Sequence, residues 1–323
     1  MDFTFTAEQR AFQQTVRELL AKECPAEHVR AMATDPTGRS PKLWKALASL
    51  GVVGLTVPEE HGGLGAGETD LVLLLEEAGR AALPEPLVEV TAVAVPMLRG
   101  AGGAVAAEWL PKIAAGDAIV VPGGVDGALV ADVHVADRVV LGSGDVVDPA
   151  SLAHAAVRSV DATRRIFSLE RATPHEDAFD RGALGTAAVL CGIADKVVEL
   201  GAGYAKERQQ FGKPIGSFQA VKHLLADALL GLEFARPVVY RAAWSMANDD
   251  PDRSIHASMA KAYASDAAMD ASRAALQVHG AIGYTHEHDL HLWLNKATAL
   301  AHAWGTSAFH RERVAGHVLG SRR

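Results

Sequence analysis

Apolar residues recur at helical spacing through the first hundred positions. Thr6 stands as an N-cap before "AEQRAFQQTVRELLAKEC", where Phe12, Val16, Leu19 and Leu20 share one face. A second helix, "SPKLWKALASLG", starts at Ser40 with Pro41 at its first helical position and stops near Gly51. The segment "VPEEHGGLGAG" (57–67) cannot continue a helix and reads as a shaped loop, after which "ETDLVLLLEEAGRAAL" resumes the period. The texture then changes. "AIVVPGGVDGALVADVHVADRVVLGSGDVVD" is rich in valine, broken by glycine pairs and partly alternating, and "RRIFSLERAT" adds a shorter alternating run.

Beyond Phe179 the pattern is helical again. In the element starting at Ser217, Val221, Leu225, Ala228, Leu232, Ala235, Val239, Ala242 and Met246 recur by fours and threes. This predicts a helix about 45 Å long, bent only locally at Pro237. "SIHASMAKAYASDAAMDASRAALQVHG" is dense in alanine and serine, so its neighbours can approach closely, and Gly280 is a natural stop. The expectation is a mainly α protein with a small β unit. It divides into a helical N-terminal domain (1–110), a short middle β-domain (111–178) and a C-terminal four-helix bundle (179–323). "ALAHAWGTSAFHR" (299–311) reads as a helix end, a glycine turn and a new helix with Thr306 or Ser307 as N-cap. Trp304, just before the glycine, donates one hydrogen bond and accepts no proton.

Charge and composition narrow the function classes. With 31 Lys plus Arg against 39 Asp plus Glu, the net charge of −8 offers no basic field for nucleic acid, although local basic spots remain open. No apolar run reaches the roughly 18–20 residues of a membrane span. "MDFTFTAEQRAF" lacks the basic start and apolar run of a signal peptide, which predicts a cytoplasmic protein without a membrane partner. Cys24 and Cys191 lie far apart in a chain with no other cysteine, forming neither a disulfide framework nor a redox pair.

Three stretches then stand together: "AKERQQFGKPIGSFQAVKHLLADA" (205–228), "QVHGAIGYTHEHDLHLWLNKA" (277–297) and "WGTS" (304–307). In this order they resemble the C-terminal domain of acyl-CoA dehydrogenases, and "GLTVPEEHGGLGAGETDLVLLLEEAGR" is similar to that family's first domain. The resemblance implies α,β-desaturation of an acyl-CoA, with a carboxylate removing the α proton and FAD taking the β hydride. It also implies an FAD that crosses a subunit boundary onto the neighbour's bundle. The matching positions here are Arg208, Gln210, Phe211, Gln219, Gln277, Val278, His279, Gly280 and Ala281, with Thr306 at the "GTS" turn. Arg208 suits pyrophosphate oxygens, Gln277 donates and accepts, and Gly280 lets backbone come close. Ala281 departs from the family, where a second glycine is common. The histidines of "HEHDLH" can suggest a metal through His288 and His291 on one helix face, but family members carry similar text without one, so no metal is expected.

The family's base is missing from both of its positions. Where catalytic members carry glutamate before "GTS" this chain has Trp304, and at the alternative position, after the segment resembling "AFDRG", it has Gly182. The hydroxyl-rich loop that covers the flavin in the family is replaced by "AIVVPGGVDGALVAD", and the middle unit is short. Lost base and retained adenine-end set together resemble the non-catalytic subunit of the heteromeric α2β2 acyl-CoA dehydrogenases of actinobacterial steroid side-chain degradation. That reading implies an FAD shared with a catalytic partner subunit, whose own site takes the acyl-CoA. Two alternatives stand beside it: a self-sufficient dehydrogenase with a displaced base, His302 or Asp180, and a flavin-free helical scaffold or acyl-CoA-binding module.

Overall fold

A computed structural model describes residues 4–127, 129–170 and 172–320. The first three residues of the "MDFTFT" start, Ala128 in the valine-rich stretch and Arg171 in "RRIFSLERAT" lie outside the described residues.

The N-terminal helices are α1 (Ala7–Glu23), α2 (Ala26–Thr34), α3 (Pro41–Ser49), α4 (Glu68–Arg80), α5 (Val95–Ala101) and α6 (Gly103–Ala114), with a π-helical turn at Val88–Ala94. Helix α1 starts at a capping box: Thr6 Oγ1 accepts from the Gln9 N–H at 3.2 Å while Gln9 Oε1 accepts from the Thr6 N–H at 2.9 Å. Ser40 caps α3 by accepting from the Leu43 N–H at 3.3 Å, with Pro41 at the position whose missing N–H costs nothing. Helix α6 runs through Ala114, past the expected opening of the β unit at 111. Pro111 sits inside it without ending it.

The middle of the chain forms two three-stranded sheets. In one, β1 (Val120–Gly123) runs parallel to β3 (Arg138–Leu141), which pairs antiparallel with β4 (Val146–Val147). In the other, β6 (Ile166–Leu169) lies antiparallel between β2 (Leu129–Ala131) and β5 (His154–Val157).

Three long helices follow: α7 (Glu176–Glu207), α8 (Gln219–Ala247) and α9 (Arg253–His279), packed lengthwise, with α10 (Leu290–His302) and α11 (Ser307–Gly320) against α9. Between α7 and α8 a small hairpin joins β7 (Gln209–Gln210) to β8 (Lys213–Pro214). Helix α8 begins two residues after the expected Ser217, because Phe218 is extended and offers no side-chain cap. One apolar core runs from the N-terminal helices into this bundle. Helices α4 and α7 cross at backbone contact, where a Cβ on Gly79 would stand 2.0 Å from the Val189 carbonyl and one on Gly192 would stand 1.8 Å from that of Glu76. Among the described residues no helix is long and apolar enough to cross a membrane.

Candidate functional site

The stretch after α10 turns sharply. Trp304 has φ +56° and Gly305 φ +87°, so a bulky residue sits in the left-handed region, an arrangement that costs on the order of 1–3 kcal/mol and persists only when its surroundings hold it. Two buried bases do so. The Nζ of Lys261 donates to Ala301 O (3.1 Å), Gly305 O (3.0 Å) and Ser265 Oγ (3.0 Å). The Nε2–H of His310 donates to Trp304 O at 2.7 Å. Both side chains are fully buried. Burial pushes the Lys261 ammonium down to about 7 and the His310 imidazole to about 4. Neither was singled out from sequence. The one signal was a lysine inside "SMAKAYAS", a helix otherwise built of small residues.

The two empty base positions are neighbours. The indole of Trp304 lies against the backbone of Gly182 on α7, so close that a Cβ there would stand 2.4 Å from Cδ2 and 2.6 Å from Cε2 and Cε3. Phe179, one turn earlier on α7, meets the indole edge-on with ring centroids 6.4 Å apart. Trp304 is buried, and its Nε1 has no hydrogen-bond partner.

Beside the indole, where the bundle meets the β unit, a cavity of about 130 Å³ remains, walled by Pro122, Val130, Ile166 and Ala299 among others, with Glu89, Asp126, Arg164 and His302 as its charged or titratable lining. It falls well short of the roughly 300–1,000 Å³ of cofactor and drug-sized ligand sites, so a flavin does not fit this chain's own cleft. Of the two displaced-base candidates only His302 lines the cavity, with its Nδ1–H given to Thr298 O at 2.9 Å. Asp180 is corrected: it is buried and paired with Arg313, which also bonds Ser258 and Glu176. Desolvation raises its carboxyl above the usual range, but the group is spent on the α7–α11 contact and does not line the cavity.

The remaining candidates gather at one end of the bundle. Gly201 of α7 packs on Leu225 of α8 and Ala275 of α9, which brings the end of α7, the hairpin, the start of α8 and the end of α9 together. Arg208, Gln210, Gln219, Gln277, Gly280 and Ala281 are exposed there, with Lys206, Lys213 and Lys222 around them. Phe211 at the hairpin tip is 90 % exposed, and its φ of +54° followed by +78° at Gly212 makes the two-residue turn. Gly280 ends α9 at φ +62°, and the space its missing Cβ would take is open. Val278 and His279 are the correction in this group: both side chains are buried, so only their backbone is available to a ligand. His279 donates from Nδ1 to Ala275 O at 2.7 Å and stacks on Tyr204 at 4.5 Å.

Thr306 stands apart from that group. Its Oγ1 accepts from the Phe309 N–H at 3.2 Å and caps α11, beside the turn that Lys261 holds. From Lys261 to Gln277 along α9 is about 24 Å. The expected cofactor contacts therefore form two separate groups.

His288 precedes α10 rather than sharing its face with His291, since Leu290 is the first helical residue. His288 Nδ1 accepts from the Leu290 N–H and His291 Nδ1 donates to His288 O. Among the described residues no group of three or more metal-ligating side chains occurs.

The chain belongs to the acyl-CoA dehydrogenase family: the profile of that family's N-terminal domain matches residues 6–117 and that of its C-terminal domain residues 175–319. It is 34 % identical over 303 residues to acyl-CoA dehydrogenase IpdE2 of Mycobacterium tuberculosis, covering 90 % of this chain and 91 % of that one. Among solved structures it superposes with a TM-score of 0.89 on the Tcur3481-Tcur3483 steroid ACAD, at 24 % identity over 98 % of each chain. The ChsE4-ChsE5 complex from Mycobacterium tuberculosis gives the same score and identity over 99 % of each chain.

Proposed function

We propose that this chain is the non-catalytic subunit of a heteromeric, FAD-dependent acyl-CoA dehydrogenase, an α2β2 assembly in the cytoplasm. The observation that carries the reading is the Gly182–Trp304 contact, which fills both of the family's base positions with one aromatic plug. A chain built this way cannot take the α proton, a step whose general base typically contributes about 10²- to 10⁴-fold in rate. The similarity to structures whose names pair two components supports a heteromer. The word "steroid" in one of them makes steroid-derived thioesters the first substrates to try.

The residues present fit FAD at the exposed bundle end and not in the cleft. Arg208 and the lysines around it suit a pyrophosphate, Gln210, Gln219 and Gln277 offer donors and acceptors, Phe211 offers an aromatic face, and Gly280 leaves backbone accessible. When bound, FAD supplies acceptance of the substrate hydride. This chain's residues bind and orient the cofactor from outside the partner's reacting centre.

The test is to purify the chain alone and with a catalytic family member, and to quantify flavin per polypeptide by absorbance. The expected result is a colourless single chain and a yellow complex with one FAD per heterodimer. A yellow single chain that oxidises an acyl-CoA overturns the proposal in favour of His302 as a displaced base. A complex that carries no flavin favours a scaffold or acyl-CoA-binding module.

A further inference from the structure

The cavity beside Trp304 is too small for a flavin but is a shaped and partly polar space. Trp304, Pro122, Val125, Val130, Ala131 and Ile166 form its apolar wall. Its polar lining is unbalanced. Glu89 and Asp126 bring two carboxyl groups, and His302, with Nδ1–H given to Thr298 O, keeps Nε2 as an acceptor. The cation in the lining, Arg164, faces one of these carboxylates, with Nη2 to Glu89 Oε1 at 3.3 Å, and balances one of the two negative charges. Asp126 lies beside the Trp304 main-chain amide and keeps lone pairs for a further donor.

With two carboxyl groups against one guanidinium the net lining charge is negative, and Trp304 forms one wall. Gly182 and Phe179 cover part of the ring, and Trp304 also lines the cavity. A carboxylate ligand would meet two carboxyl groups and a single guanidinium that already faces one of them. A cation with apolar substituents would meet carboxylates and an aromatic ring, an attraction worth about 0.5–2 kcal/mol from the ring alone. At interior packing density the space admits about five to eight non-hydrogen atoms.

We propose that the cavity beside Trp304 binds a small organic cation, an alkylammonium or quaternary ammonium group, in the cleft that no longer serves desaturation. The site belongs to this chain alone and does not depend on where FAD sits.

The full chain, alone and in its complex, is titrated at constant ionic strength with tetramethylammonium and n-butylammonium, and in parallel with butyrate and tert-butanol, by ligand-observed NMR. The expected result is millimolar binding of the cations, at least about fivefold weaker binding of the neutral and anionic probes, and a comparable loss in Asp126→Asn. Asparagine has the shape of aspartate without its charge, and the Trp304 turn is held by Lys261 and His310, so the turn is retained. Ala131→Leu, which fills the cavity from β2, abolishes binding without touching a charge. Butyrate or tert-butanol binding as well as the cations overturns the proposal, as does cation binding that survives both substitutions or no binding at about 100 mM.

Discussion

Gly182 and Trp304 are a matched pair: the indole occupies the volume that any side chain at 182 would need, with Cδ2 standing 2.4 Å from where a Cβ would be. Alanine is normally about 1 kcal/mol better than glycine inside a helix. Here the clash reverses the sign, and Gly182→Ala is expected to lose about 1–3 kcal/mol in urea unfolding. In the Gly182→Ala/Trp304→Ala double variant the new methyl has room, so the combined loss is smaller than the sum of the single losses. Strict additivity would mean the ring moves aside freely.

The same pair predicts that restoring a carboxylate does not restore an enzyme. Trp304→Glu puts an acid at the family's base position, but the neighbouring cavity of about 130 Å³ still excludes a flavin. Dye reduction by the isolated variant with any acyl-CoA is expected to stay at background. In the complex, Trp304→Phe keeps an aromatic plug and is expected to leave turnover within about twofold, since the proposed division of labour puts the reacting bond in the partner's site.

Arg208 stands at the opposite end of the molecule. It follows the last residue of α7, its carbonyl accepts from the Ile215 N–H at 2.8 Å, and its side chain is exposed. Arg208→Ala is expected to weaken FAD retention by the complex about 10-fold or more, since a hydrogen bond to a charged group is worth about 1.5–3 kcal/mol. Equilibrium dialysis reads this directly. Arg208→Lys recovers the charge but not the forked geometry and falls between the two. Unchanged flavin occupancy in Arg208→Ala would remove the bundle end from the cofactor site.

Much of this architecture is written in short-range signals. The caps at Thr6 and Ser40, the stop at Gly280 and the period of α8 depend on residues within a turn or two of one another, and the chain keeps them. Val278 and His279 turn inward for a long-range reason. Helix α9 carries small residues on nearly every side, so its sequence has no dominant apolar stripe to say which face turns inward. Lys261 is hard to pick out because lysines are almost always exposed, and its two carbonyl acceptors come from a turn 40 residues and more downstream. Gly182 and Trp304 were each marked by family position, yet nothing local says that they touch.

The α4–α7 crossing carries a prediction of its own. A Cβ on Gly192 would lie 1.8 Å from the Glu76 carbonyl, a distance that side-chain motion cannot relieve because the obstacle is backbone. Gly192→Ala must force the helices apart around Glu76 and Cys191, both buried. The expected outcome is a loss of more than about 3 kcal/mol, seen as insoluble or proteolysed chain. Gly231→Ala on α8, where nothing lies within 4 Å, is the control and should be neutral or slightly stabilising.

Lys261 links the Trp304 turn to pH. Burial lowers its folded-state value to about 7, whereas the unfolded chain titrates near the ordinary lysine value of about 10.4. Between those values the unfolded chain holds a proton that the folded chain has released, so raising the pH through that window favours the fold. The slope reaches about 1.4 kcal/mol per pH unit. Below about pH 7 both states are protonated and the contribution is flat, with the cost of the buried charge fully present. Lys261→Met cannot show this slope, and it also leaves Ala301 O and Gly305 O without their donor. Stability of the parent minus that of Lys261→Met, from urea unfolding at pH 6 to 10, is therefore expected to be level at the acid end and to rise steadily above neutrality. A difference that stays level throughout would mean that the three acceptors around Nζ hold it as an ammonium despite its burial, and that the turn carrying Trp304 is fixed by a buried positive charge.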